Sequence, residues 1–226
     1  MASITELCEQ LDVVGALDTA VGPIKQRARG HSAGGLLVGL AAAQLAGEDH
    51  LVGLDRQRED AAGQALMPVA GLCSTTAGGL ARRLTQAQWA DLEAGLATVT
   101  TGMLARLPGA RREALLAVVT IDLDTTDVEV YGRRKQGVAY NYQGQRCGRP
   151  HVATWAEIGV ALGADLLAGN QDPRRGAPAL LRRALATLPA GVGQVKLRAD
   201  GGYFAVELAI AAYRAGVGFA IAAKRI

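Results

Sequence analysis

The sequence predicts a mixed α/β (α+β) chain in two parts: a helical domain over residues 1–113, then a mixed sheet with flanking helices over residues 114–226. Three observations carry this reading. Up to about residue 113 the apolar residues recur at spacings of three and four, the helical period. From residue 114 the pattern changes to short β-branched runs, chiefly AVVTIDLD (117–124) and VKLRAD (195–200). Helical segments alternate with the later runs, the order of a layered sheet-and-helix domain. A chain of 226 residues, half of them hydrophobic, can bury one large or two small cores.

In the first part, AGGLLVGLAAAQLAG (33–47) predicts a small-residue helix that Gly47 closes in a left-handed cap. Thr85 and Gln88 have the spacing of a capping box. Behind them Trp89, Leu92, Leu96, Val99 and Met103 form an amphipathic stripe, which packs into a core, and Pro108-Gly109 stops the helix. Residues 55–85 resemble a helix–turn–helix. Gly71 makes the turn, and Ser74 or Thr75 caps a following helix that ends in Arg82 and Arg83. Such a helix can dock in a DNA major groove with its basic end on phosphates. An ordinary αα-hairpin with a solvated arginine pair fits the same pattern.

In the second part, AVVTIDLD is a strand that VEVYG (128–132) extends past a bend. RRKQGVAYNYQGQRCGRP (133–150) is a basic loop or ribbon with interleaved tyrosines. HVATWAEI (151–158) and VALGADLLAG (160–169) form a hairpin. Asp172-Pro173 opens a turn, PALLRRALATL (178–188) is a helix, VKLRAD a strand, FAVELAIAAYRAG (204–216) a helix and VGFAIAAKRI (217–226) a final strand. A domain rarely stops so soon after a buried-looking strand. Lys224-Arg225-Ile226 is therefore either the rim of a finished sheet or the end of a fragment.

Composition narrows the function classes. With 24 basic and 21 acidic residues the net charge of +3 is too mild to establish nucleic-acid binding alone. Cys8, Cys73 and Cys147 lie far apart and are odd in number, which argues against a disulfide framework or a zinc site and fits a reducing cytoplasm. The N-terminus lacks the layout of a signal peptide, and residues 33–46 are too short to span a bilayer, so no membrane partner is expected.

The chemistry concentrates in three acids. Asp122 and Asp124 share one face of their strand because side chains alternate. Asp200 ends a second apolar strand. Strand-end carboxylates are costly unless hydrogen-bonded, paired or metal-bound. Together they would make an oxygen-rich site for Mg²⁺ or Mn²⁺, and Gly201 and Gly202 leave backbone room for a bulky substrate. The simpler alternative is that one or two of these acids cap turns or pair with arginines. Asp122-Leu123-Asp124-Thr125-Thr126 also reads as DxDxT, the nucleophile loop of haloacid dehalogenase-like phosphatases. That reading requires a crossover helix after the motif, and the extended basic segment there does not supply one.

TIDLDTTDVEVYGRRKQGVAYNYQGQRCGRPHVATWAEIGVALGADLLAGN, followed by LRADGGYF, resembles the DDE-type transposases of bacterial insertion sequences, closest to their IS thirteen-eighty branch. The resemblance implies an N-terminal helical DNA-binding region and an RNase H-like catalytic core. It makes Asp124 (with Thr126) and Asp200 (before Gly202 and Tyr203) catalytic metal ligands, and Asp122 an accompanying acid. The family's third acid, a Glu on a later helix, has no counterpart: neither Glu157 nor Glu207 matches it. The chain thus resembles the front, incomplete part of such an enzyme, with weak or no activity expected of it alone. The resemblance further implies metal-dependent cleavage and strand transfer on double-stranded DNA at terminal inverted repeats, a homodimer in the synaptic complex, and a bacterial cytoplasmic protein at the nucleoid. A non-catalytic DNA-binding remnant is the other outcome. Arg82, Arg83, Arg133, Arg134, Lys135, Arg146 and Arg149 would contact phosphates, with Tyr140 and Tyr142 stacking on exposed bases, or form a solvated basic loop.

Overall fold

The computed structural model describes residues 1–27, 29–132 and 134–223, and Arg133 therefore lies outside the described residues. The chain divides into two compact units, Met1–Met103 and Leu104–Ile226. The division falls ten residues before the expected position 113, because the helix over Gly109–Ala117 belongs to the second unit: its Leu115 and Leu116 pack on the sheet core.

The first unit contains α1 (Ala2–Gln10), α2 (Val13–Val21), α3 (Ala33–Leu45), α4 (Gly53–Glu59), α5 (Ala61–Gln64), α6 (Ser74–Ala81) and most of α7 (Gln86–Ala105). Its ends are set by local chemistry. Ser32 accepts from the Gly35 N–H to start α3, and the Asp18 carboxylate, reaching over from α2, takes the Gly34 N–H at 2.6 Å. Gly47, at φ 91°, ends α3 as expected: the Glu48 N–H reaches the Ala43 carbonyl and the Gly47 N–H that of Gln44. Thr85 and Gln88 close a reciprocal box, with the Gln88 N–H on Thr85 Oγ1 and the Thr85 N–H on Gln88 Oε1. The core unites Val21, Ile24, Leu36, Leu54, Leu72, Ala77 and Leu80. On α7 four residues of the expected stripe, Leu92, Leu96, Val99 and Met103, are half-buried, with Leu92 packed against this core, while Trp89 is 44% exposed; Gly95, whose absent side chain admits Leu17 and Ala20, and Thr100 are buried.

The second unit contains α8 (Gly109–Ala117), β1 (Val118–Thr125), β2 (Val128–Glu129), β3 (Ala139–Tyr140), β4 (Arg146–Trp155), β5 (Val160–Ala168), a 3₁₀ turn at Pro173–Arg175, α9 (Ala177–Thr187), β6 (Gln194–Ala199), a second 3₁₀ turn at Gly201–Tyr203, α10 (Val206–Arg214) and β7 (Gly218–Ile221). Among the described residues these strands form one mixed sheet of order β2-β4-β1-β6-β7, with β3 and β5 also on β4. β4 is antiparallel to β1 and β5, while β1, β6 and β7 run parallel. β2 continues β1 past a bend along the same partner: Thr125 faces His151 and Val128 faces Gly148. Val119, Ile121, Leu123, Trp155 and Leu197 point to one face, against Leu180, Leu181 and Ala184 of α9 and Leu208 and Ala212 of α10. The other residues of β1, Thr120, Asp122 and Asp124, belong to the opposite face.

Candidate active site

The parallel ladder of β1 and β6 positions the acids. Its last pairs are Asp122 with Arg198 and Leu123 with Ala199. The next residue on each strand is an acid, Asp124 on β1 and Asp200 on the loop leaving β6. Neighbouring strands lie about 4.8 Å apart, and alternation puts both side chains on the face away from α9 and α10, where both residues are exposed. Each carboxylate is oriented by its own backbone: Asp124 Oδ1 accepts from the Thr125 N–H at 2.8 Å, and Asp200 Oδ1 from the Gly202 N–H at 2.8 Å. Adding a Cβ to Gly202 would place it 2.9 Å from Asp200 Oδ1, so a glycine here keeps the turn tight.

Asp122 is engaged differently. Its two oxygens take Arg198 Nε at 2.7 Å and Nη2 at 2.5 Å, a two-pronged ion pair across the parallel ladder. The three acids expected to converge are thus two acids at the strand ends and one that neutralises an arginine two residues back. Of the glutamates, Glu157 accepts from the Thr120 N–H near the start of β1, and Glu207 opens α10. Among the described residues no group of three or more His, Cys, Asp or Glu is placed to hold a metal.

Beneath the strand ends lies a buried aromatic pair. His151 faces Thr125 across the ladder, and its ring stacks at 5.6 Å on Tyr203, which directly follows the Asp200 turn. Burial pushes the Tyr203 hydroxyl well above its ordinary range, with the charges of Asp124 and Asp200 adding to the rise. Burial also lowers the His151 imidazole, whose two nitrogens have no partner among the described residues, so the ring is held neutral. The place of His151 opposite Thr125 depends on a strand register that sequence spacing alone does not show.

The basic residues expected on DNA separate into exposed ones and ones committed to contacts within the chain. Arg134 and Lys135 are exposed in the loop before β3, and Arg82 and Arg83 at the end of α6. Arg82 Nε donates to the Gly78 carbonyl, which fixes the stem of the side chain. Arg146 was expected on DNA phosphates, but its guanidinium donates to the Gly132 and Lys135 carbonyls and so ties down the loop that carries the other cations. Arg149 likewise turns inward: Nε and Nη2 grip Asp127 at 2.6 and 3.2 Å, and Nη1 holds the Gln171 carbonyl. Asp127 also takes Asn141 Nδ2 at 2.9 Å, and Arg149 and Asn141 together hold its carboxyl below the usual range. In the first unit the segment joining α5 to α6 runs over 65–73, longer than the turn of a helix–turn–helix. Gly71, at φ 74°, bends it as expected, while Ser74 caps nothing with its own hydroxyl and instead donates to Asp55 on α4.

A sequence model described as transposase DDE domain group 1 matches residues 3–225, nearly the whole chain. The chain belongs to this DDE transposase family. Among solved structures the chain is similar to one titled Mos1 transposase paired-end complex with left transposon end, at 12% identity and a TM-score of 0.31. That match covers 86% of this chain and 60% of the other, so the chain spans less than two thirds of the length of the protein it matches. No match is found among curated proteins. The phosphatase reading is not favoured: after Asp124 the chain continues into β2, β3 and the antiparallel β4, with no crossover helix among the described residues. Among the described residues no helix is long and apolar enough to cross a membrane.

Proposed function

We propose that this transposase chain acts on the terminal inverted repeats of a bacterial insertion sequence, with Asp124 and Asp200 as its cation-binding acids. What supports the reading is that each of these acids lies one residue beyond the last rung of the same parallel ladder, on two neighbouring strands. Each keeps one oxygen on its own turn and has a second to offer. Two hard oxygen donors from neighbouring strands suit Mg²⁺ or Mn²⁺, which retain several waters and take one or two carboxylates. When bound, such a cation activates a water or 3′-hydroxyl and stabilises the leaving oxygen at a phosphodiester. The chain's own residues orient that site. Tyr203 and His151, neutral and buried, hold up the two acid-bearing turns without adding charge, and Asp122 offsets Arg198 so that this guanidinium does not compete for Asp124. Arg134 and Lys135, with Arg82 and Arg83 in the other unit, supply phosphate contacts that fix the duplex but read no sequence.

The test is Mn²⁺ binding by the whole chain, followed by electron paramagnetic resonance, together with nicking of a labelled end-repeat duplex. Asp124→Asn and Asp200→Asn each keep the turn hydrogen bond while removing the charge, and both are expected to lose the bound Mn²⁺ signal and any nicking while still binding the duplex. Unchanged Mn²⁺ binding in both variants would remove the assignment.

A further inference from the structure

α10 is apolar on two opposite sides, and the sheet covers one of them. Leu208 and Ala212 are buried in the sheet core, while Val206, Ile210 and Tyr213, at helical spacing, form a second line on the outer side. That line is open to water: Val206 is 65%, Ile210 42% and Tyr213 80% exposed. A surface helix ordinarily turns polar residues outward, so apolar residues grouped there mark a contact surface. We propose that this outer face of α10 pairs, antiparallel, with the α10 of a second copy of the chain, across a two-fold axis and in the absence of DNA.

Charge selects that occupant. The apolar line is flanked by Glu207 in the first turn of the helix and Arg214 in the last. About two turns separate them, so both stand on the same edge of the line. Both are exposed, and neither forms an ion pair among the described residues. Arg174, whose charge reaches Glu207, is already held by Asp172 at 2.5 Å. A two-fold axis across the middle of the helix, near Ile210, brings Glu207 of each copy to Arg214 of the other. The pattern is thus its own complement, as an isologous contact requires. The same operation sets Val206 of one copy near the Tyr213 ring of the other and Ile210 against Ile210. A parallel pairing would instead oppose Glu207 to Glu207 and Arg214 to Arg214, and would align the two helix dipoles.

The opposite face of the sheet stays open in such a dimer. Asp124 belongs to the side of β1 that turns away from α10, so the pairing leaves it uncovered. A contact centred on one nine-residue helix is at the small end of interface sizes, and the dimer is therefore a reversible one.

The experiment is sedimentation equilibrium of the whole chain, free of DNA and metal, from low to high micromolar concentration. A reversible monomer–dimer equilibrium is expected. Glu207→Arg or Arg214→Glu alone replaces both attractions by repulsions and is expected to weaken the dimer by at least about ten-fold. Mixed in equal amounts, the two variants are expected to associate as the native chain does, because each supplies the charge that the other lacks. Ile210→Ser is expected to weaken the dimer, and Leu166→Ser, which removes an exposed apolar side chain from β5, to leave it unchanged. All of these side chains are exposed, so the fold tolerates their replacement, and circular dichroism checks that it does. A chain that stays monomeric throughout, or a dimer that Glu207→Arg leaves intact or that mixing fails to restore, overturns the pairing. None of these outcomes touches the function proposed above.

Discussion

The Asp127–Arg149–Asn141 cluster sets a quantitative test of how the second unit holds its loop against β4. Asp127→Ala removes three hydrogen bonds at once: two from the Arg149 guanidinium and one from the Asn141 amide. The side chains of Arg149 and Asp127 are only 15% and 27% exposed, so water replaces the lost carboxylate poorly. A charge-assisted bond is worth about 1.5–3 kcal/mol, and stranding one partner of a buried pair costs about 3–5 kcal/mol. Allowing for the remaining access to water, the loss is about 3 kcal/mol. With a urea slope near 2 kcal/mol per molar, the unfolding midpoint of this unit falls by roughly 1.5 M. The chain supplies its own probe, since one of its two tryptophans, Trp155, is fully buried in the sheet unit while Trp89 is half-exposed in the helical one. In a Trp89→Phe background, Trp155 fluorescence therefore reports the sheet unit alone. Asp172→Ala breaks an ion pair whose side chains are 51% and 35% exposed, and should leave the midpoint almost unmoved. Equal midpoints for the two variants would refute the idea that burial, and not the count of ion pairs, decides which of them matters.

Four further outcomes are expected. Gly34→Ala drives a methyl into the Val14 carbonyl where α2 and α3 touch, and thermal melts should show the helical unit destabilised by about 2 kcal/mol. Cys73, bonded to the Thr75 and Thr76 hydroxyls at the start of α6, has its thiol lowered to about 7, so its alkylation should rise through that pH well before Cys8 or Cys147, both raised by burial. The His151 imidazole is depressed by burial below its unfolded value of 6.5, so the unfolded chain binds the extra proton first and stability falls as pH drops below 6.5. Urea midpoints across that range should show the fall, and His151→Gln should flatten it. Duplex binding should weaken steeply with salt, and Arg82→Ala with Arg83→Ala should lower the log–log slope by about two; an unchanged slope removes these arginines from the interface.

Much of the fold is legible because it rests on local rules. The Gly47 cap, the Thr85–Gln88 box and the alternation in β1 are each decided within a few residues. Elements that depend on pairing partners are not. The sequence predicts a basic loop or ribbon up to Pro150 and a strand from His151, yet β4 begins at Arg146 and runs through Pro150. The reason is local to the sheet: Pro150 lies where β4 changes partner from β1 to β2, so no N–H is required of it. The same distinction separates the site residues. Asp124 and Asp200 can be picked out as strand-end acids, whereas the capture of Asp122 by Arg198, and of Arg149 by Asp127, follows from registers and loop closures that link residues far apart in the chain.

The turn bonds of Asp124 and Asp200 carry a consequence for ion choice. Because Oδ1 of each is tied to a backbone N–H, each acid presents a single oxygen to an incoming ion, in a rotamer fixed beforehand. Calcium, which fills six to eight positions and often embraces both oxygens of a carboxylate, would have to break those bonds to be satisfied. The compact ion that keeps its hydration water would not, so on the cation-binding role proposed above the two small turns would favour it over calcium.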